Sequence, residues 1–323
     1  MAATFRDLIA QNRRQTTILV VLFLLFSTAV IMVISMAIVA YVNPDFVKHL
    51  NVGRAVLVGG IAGGISLIYV LFSYYAGSDV ILSVSGARPL EKRDDPQLYN
   101  VVEEIAIAAG IPCPTIYLID DTAPNAFATG RDPQHAVVAI TTGLRTKLSR
   151  DELQGVMAHE IGHIRNYDIR LMMLLTLLIG LVVMMADLFW QMLRWAPSGR
   201  SSSSSSSDDS KGSGLIVAVL LVVAIILSII APFLAQIIQL AVSRQREYLA
   251  DASAVEFTRN PIGLANALRK IDDDQEVLEV ANRGTAHLYI ANPIKKFEAR
   301  ANSMFSSHPP IKDRIARLEA LAS

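Results

Sequence analysis

Four long apolar runs punctuate the chain. Residues 16–42, 55–78 and 212–243 carry no charged side chain, and 171–195 carries only Asp187 and Arg194. A membrane-crossing helix needs about 20 predominantly apolar residues, so each run is long enough to span. The first run exceeds the roughly 7–15 apolar residues of a secretory signal and reads as an anchor rather than a cleaved leader. Four spans of about 23 residues leave about 230 residues outside the bilayer, enough for one sizeable domain with its own core. The expected architecture is therefore an α-rich multi-pass membrane protein with four transmembrane helices and a polar domain built from the intervening and C-terminal segments.

The polar segments have patterns of their own. Asp95 followed by Pro96 is an N-cap with proline at the first helical position. Leu98, Val102, Ile105 and Ala109 then recur at helical spacing, and Gly110 stops the helix. TIYLI at 115–119 and HAVVAITT at 135–142 read as strands, and NAFATG at 125–130 with Arg131-Asp132-Pro133 marks a turn between them. Ser149 opens a second helix, and Glu152 completes a capping box. Helices are expected at 244–257, 261–271 and 311–322. The Ser-rich stretch 201–207 and the polar residues after it cannot bury apolar area and read as a linker.

Composition narrows the class. The chain has 323 residues, 52% of them hydrophobic and only 18% charged, below the roughly 25% typical of soluble domains. Lys+Arg and Asp+Glu balance at 29 each. A net charge of zero removes the electrostatic case for nucleic acid as a partner. The single cysteine, Cys113, has no partner within the chain, which fits a reducing compartment. Lys and Arg near the spans favour both termini and the large polar regions on the cytoplasmic side.

The helix opened by Ser149 contains HEIGH at 159–163. Residues i and i+4 share one helical face, so His159 and His163 can reach one metal ion. Neutral imidazoles suit zinc, and the intervening Glu160 sits where it can take a proton from an activated water. A catalytic zinc site normally has three protein ligands. The best candidate for the third is Glu247, in SRQREYLAD at 243–251. Asp251, one turn beyond, can accept a hydrogen bond from the free N–H of a ligating histidine. His49, His135 and His287 have no such partner at helical spacing and read as surface or packing residues.

HEIGH with the following IRNYD, REYLAD at 246–251, NAFATG, and Ser307-His308-Pro309-Pro310 together resemble the HtpX proteases, membrane zinc endopeptidases of peptidase family M48 related to the Ste24-type CAAX proteases. The resemblance covers nearly the whole chain. It implies a gluzincin-like α+β zinc protease domain with a small sheet. It implies one Zn2+ held by His159, His163 and Glu247, with Glu160 as base. It also implies that NAFATG borders the substrate cleft, with Asn125, Ala126 and Phe127 as candidate substrate contacts. The activity implied is cleavage of misfolded or damaged membrane proteins in quality control at the inner membrane.

The expected organisation is an N-terminal transmembrane hairpin (1–78), a first half of the catalytic domain (79–170), a second hairpin with the Ser-rich outer loop (171–243), and a second catalytic half (244–323). If the ligand helices continue into the third and fourth spans, a rise of 1.5 Å per residue places the metal roughly 6–12 Å from the apolar edge, at the cytoplasmic interface. NAFATG and the strand after it would flank a sheet edge to which an extended substrate adds. His308, held by two prolines, is a candidate oxyanion donor. Arg314, one turn into the last helix, can orient the same site. Two other readings compete. One is a site-2-type intramembrane protease, which the charges flanking HEIGH oppose. The other is a non-proteolytic scaffold or chaperone with a structural zinc site, which would need a fourth protein ligand. The sequence leaves the oligomeric state open.

Overall fold

The computed structural model describes residues 51–177, 180–181, 244–274, 276, 278, 288–290 and 309–322, together with scattered positions between 14 and 32 and residue 222. The first described element, α1 (Val52–Val84), is long and apolar enough to cross a membrane by length and composition. Within 52–73 it exposes Val56, Leu57, Ile61, Ile68 and Phe72, side chains that water would not favour. Of the four predicted spans, this one is described in full. The other three, and the Ser-rich linker, lie largely or wholly outside the described residues. The chain separates into two compact units, one taking in 52–73 and the other 74–177 and the described C-terminal residues.

The second unit carries a four-stranded mixed sheet in the order β1 (Arg88–Pro89), β2 (Thr115–Ile119), β4 (Ala136–Thr141), β3 (Ala126–Gly130). β2 and β4 run parallel, with Thr115 opposite Val137, and β3 pairs antiparallel to β4. NAFATG is therefore not the turn its glycine and asparagine suggest. Ala126–Gly130 is an edge strand, and the reversal falls on the 3-10 turn Pro133–His135, capped by Asp132. A Cβ on Gly130 would stand 2.4 Å from the His135 carbonyl oxygen, so this position requires glycine for close approach of the two strands.

The helices begin where their caps direct. α2 (Pro96–Ala109) starts under Asp95, whose side chain accepts from Leu98 N–H, and ends at left-handed Gly110. A short α3 (Thr142–Lys147), which the pattern did not announce, follows β4 directly. α4 (Arg150–Arg165) starts in the predicted capping box of Ser149 and Glu152. α5 (Arg244–Thr258), α6 (Pro261–Asp273) and α7 (Ile311–Ala320) are the further helices among the described residues of this unit.

The sheet feeds two apolar clusters, because successive residues point to opposite faces. Val138 and Ile140 join Leu98, Ile105, Val156, Ile161 and Leu268 on one side. Ala139 and Phe127 join Ile81, Met173, Leu278 and Tyr289 on the other. α4 packs against α2, α5 and α6, so the HEIGH helix sits at the centre of the unit.

The HEIGH helix does not run unbroken into the third apolar run. It ends at Asn166, Tyr167 takes a left-handed φ of 62°, and helical backbone resumes at 168–177. The straight-helix spacing between metal and apolar edge therefore does not apply on this arm.

Candidate metal centre

The capping box starts α4 in a fixed register, and that register turns His159 and Glu160 into the interior. His159 is fully buried and Glu160 is 2% exposed. Gly162 allows α5 to come close, since a Cβ there would stand 3.3 Å from Ala250 Cα. α5 in turn presents Glu247 and Asp251, both buried, one turn apart.

His159, His163 and Glu247 converge. Each offers a ligand atom within 4.8 Å of the others'. The two Nε2 atoms are 3.2 Å apart. Glu247 Oε2 lies 3.7 Å from His159 Nε2, and Oε1 lies 3.5 Å from His163 Nε2. Two nitrogens bound to one tetrahedral zinc at about 2.0–2.1 Å stand about 3.3–3.4 Å apart. The residues present therefore fit a zinc-sized ion, both by donor chemistry and by spacing.

Each imidazole has a carboxylate behind it. His159 Nδ1 lies 2.9 Å from Asp251 Oδ1, and His163 Nδ1 lies 3.1 Å from Asp168 Oδ2. A proton on Nδ1, donated to the carboxylate, leaves Nε2 free to ligate. Behind Asp251 stands Arg314, fully buried, which donates to both carboxylate oxygens. Its Nη1 also donates to the Ile290 carbonyl at 3.3 Å and lies 3.5 Å from Glu247 Oε2.

This crowding shifts the titration of the group. Burial, reinforced by the Arg314 cation, drives the His159 imidazole down to about 4. Burial also opposes the charged form of His163, but its hydrogen bond to Asp168 and the charge of Glu247 carry it up to about 9. Burial raises the Glu160 carboxyl to about 7. Burial works against the Asp251 carboxylate too, yet the Arg314 guanidinium beside it holds it at about 2.

A cleft opens beside these groups, lined by Ala128, Glu160, Ile169, Met172, Leu288 and Ile290 among others. Asn125 O pairs with Thr141 N–H, so by antiparallel alternation Ala126 and Ala128 turn their backbone away from β4. The Ala128 N–H reaches the Glu160 carboxylate, and Ala126 O accepts from Ile290 N–H. Ala128 thus lines the cleft.

The three residues singled out as substrate contacts are all buried. Phe127 is fully buried, edge-to-face with Tyr289. Asn125 is 3% exposed and uses its Oδ1 on Ala126 N–H, while Ala126 is 1% exposed. Strand alternation sends the Phe127 side chain into the cluster of Ile81 and Tyr289 and that of Ala126 into the opposite cluster of Val138 and Ile140. His308 lies outside the described residues, as do His49 and His287.

Asp168 and Arg246 stand in the sequence motifs only as neighbours of the ligands, and their spacing alone gives them no role. One signal marks Arg314: Ile311, Arg314, Ile315 and Leu318 fall at i, i+3, i+4 and i+7, so the arginine sits on the apolar stripe of its helix.

Fold and site together define a metallopeptidase of the HExxH type. Residues 92–322 match the family model described as Peptidase family M48. The Protease HtpX homolog of Dictyoglomus turgidum is 40% identical over 324 residues, covering 98% of this chain and 95% of its own length. That of Levilactobacillus brevis is 46% identical over 266 residues, covering 81% and 85%. Among solved structures, S. mikatae Ste24p is similar with a TM-score of 0.44 and 22% identity, over 79% of this chain and 57% of its own. The chain belongs to peptidase family M48, among its HtpX proteases. It is a metalloprotease, and its substrates are peptides or proteins.

Proposed function

We propose that the protein is a zinc-dependent endopeptidase of the cell inner membrane that hydrolyses misfolded or damaged membrane proteins at the cytoplasmic face. The observation that carries the reading is the convergence of His159, His163 and Glu247 beside the buried Glu160 and the edge of β3. Two imidazoles and one carboxylate are a catalytic zinc set, three ligands with a position left for water or substrate. One such cluster is found among the described residues, in keeping with one Zn2+ per chain. When bound, zinc polarises the scissile carbonyl and lowers the pKa of water to about 7.

The chain's own residues do the rest. Glu160, with its carboxyl raised to about 7, can accept a proton and later return it to the leaving amine. β3 turns its Ala128 backbone into the cleft beside Glu160, and an extended substrate that displaces the Glu160 carboxylate from the Ala128 N–H pairs with that edge and receives its register from it. Backbone pairing reads no side chains, which suits a quality-control protease that must accept many sequences. His308 remains the candidate oxyanion donor, with Arg314 holding Asp251 behind His159.

The membrane assignment rests on α1 and on the three further apolar runs. The proposed organisation is two transmembrane hairpins, 1–78 and 171–243, alternating with catalytic halves 79–170 and 244–323. The Lys/Arg distribution favours a cytoplasmic catalytic domain. Substrates are membrane proteins and unfolded polypeptides in contact with the bilayer, and nucleic acid is not a partner.

The test uses full-length protein reconstituted in liposomes, with an unfolded membrane protein as substrate. Wild type should cleave, and both chelator and Glu160→Gln should stop cleavage. Equal cleavage by wild type and Glu160→Gln would overturn the assigned base.

A further inference from the structure

We propose that Asp168 is a positioning residue of the metal centre, fixing the tautomer of His163 and joining the two segments that supply the ligands. The inference rests on the metal-centre reading above. Its starting point is the break after α4. On an unbroken helix, a residue five positions after His163 would lie about 140° away around the axis, facing away from the imidazole. The left-handed turn at Tyr167, with φ of 62°, redirects the chain. This is an uncommon conformation for an aromatic residue. As a result the Asp168 carboxylate returns to His163, with Oδ2 3.1 Å from Nδ1.

The contact decides which ring nitrogen is free. With Nδ1–H donating to Asp168, the lone pair of His163 sits on Nε2. That is the atom 3.2 Å from His159 Nε2 and 3.5 Å from Glu247 Oε1. The second oxygen of Asp168 faces Arg246 Nε at 3.9 Å. Arg246 immediately precedes Glu247 on α5. One carboxylate therefore touches the ligand from α4 and the neighbour of the ligand from α5.

Burial makes the arrangement consequential. Asp168 is 1% exposed and Arg246 6%, and a carboxylate in such a place is strongly unfavourable unless paired and hydrogen-bonded. Asp168 and Asp251 also differ in their cations. Asp251 is gripped bidentately by Arg314 at 2.7 and 2.9 Å, which draws its charge away from His159. Asp168 faces the Arg246 Nε at the longer distance of 3.9 Å.

The experiment measures Zn2+ affinity of the full-length protein in detergent by competition with a chromophoric chelator, and the visible absorption of the Co2+-loaded form. Asp168→Asn is close to isosteric and keeps an oxygen acceptor while removing the charge. Measured at about pH 9.5, where proton competition at His163 is slight in every variant, it should weaken Zn2+ binding about 10-fold, and Asp168→Ala about 100-fold, the range expected for loss of such a support. Both should alter the Co2+ spectrum, which a purely structural role would leave unchanged. Wild-type affinity and an unchanged Co2+ spectrum in Asp168→Asn would overturn the inference while leaving the metal centre intact. A wild type that binds Zn2+ no more tightly than a His159→Ala/His163→Ala double variant would overturn the metal-centre reading itself, and this inference with it.

Discussion

Arg314 grips Asp251 with two parallel contacts, Nε to Oδ2 at 2.9 Å and Nη2 to Oδ1 at 2.7 Å, and the guanidinium is wholly buried. The pair joins α7 to α5 behind His159. Removing one partner of a buried ion pair strands the other charge and costs about 3–5 kcal/mol. Arg314→Met should show that loss in denaturant unfolding of the metal-free protein and should sharply reduce peptide cleavage. Arg314→Lys should recover only part of both, since an ammonium cannot supply the planar fork. A lysine variant with full stability and activity would mean that charge alone suffices.

Metal uptake should depend on pH through His163. Its hydrogen bond to Asp168 and the charge of Glu247 overcome burial and raise it to about 9, whereas burial and Arg314 lower His159 to about 4. At neutral pH His159 is thus already neutral while His163 carries a proton that a metal must displace. Zn2+ affinity should rise with pH, close to 10-fold per unit between about pH 6 and 8, and flatten above the His163 value. Calorimetry in buffers of different ionisation enthalpy should register about one released proton per ion near pH 7. Affinity independent of pH across that range would contradict the assigned state of His163.

Much of the site is legible in the sequence because helices repeat. HEIGH states its own geometry, since residues four apart on a helix must share a face, and the capping box at Ser149 fixes where that helix begins. Glu247 and Asp251 obey the same rule. Asp168 is not legible in this way: its approach to His163 depends on a left-handed Tyr167 that no periodicity encodes. NAFATG is misleading for a related reason. Its asparagine and glycine are turn formers, yet Gly130 is needed for strand approach, and the buried alternation of Ala126, Phe127 and Ala128 becomes visible only once β4 lies beside them. The parallel pairing of β2 with β4 is a long-range choice that neither strand's pattern announces.

Gly155 sets how closely α4 approaches α6. A Cβ there would stand 2.6 Å from Leu264 N and 2.8 Å from Leu264 Cα, and one on Gly263 would stand 2.8 Å from the Asp151 carbonyl oxygen. These neighbours are backbone atoms, so they can give way only if one helix moves. Gly155→Ala should raise intrinsic helix propensity yet destabilise the protein by about 1–3 kcal/mol through overpacking. Thermal unfolding reads the balance, and a rise in midpoint would show that the helices separate without strain.

Glu152 serves two partners with one oxygen. Its Oε2 accepts from Ser149 N–H at 2.7 Å and from Lys270 Nζ at 2.7 Å. Burial opposes its charge, but the Lys270 contact and the Ser149 backbone bond outweigh that and hold the carboxyl below its ordinary 4.5. A carboxyl depressed in the folded state contributes stability above its unfolded pKa and loses it as pH falls through the folded value. Glu152→Ala removes both the cap and the ion pair and should cost about 1–2 kcal/mol at pH 7. Glu152→Gln keeps an acceptor for Ser149 and should cost less. On acidification below about pH 4.5 the wild-type carboxyl takes up a proton, so its advantage over Glu152→Gln should shrink toward zero. The gap to Glu152→Ala should narrow but persist, because a protonated carboxyl still offers an oxygen to the cap. Urea unfolding of the three proteins at neutral and acidic pH separates the electrostatic share from the capping share, and a gap between wild type and Glu152→Gln that does not change with pH would assign the whole effect to packing.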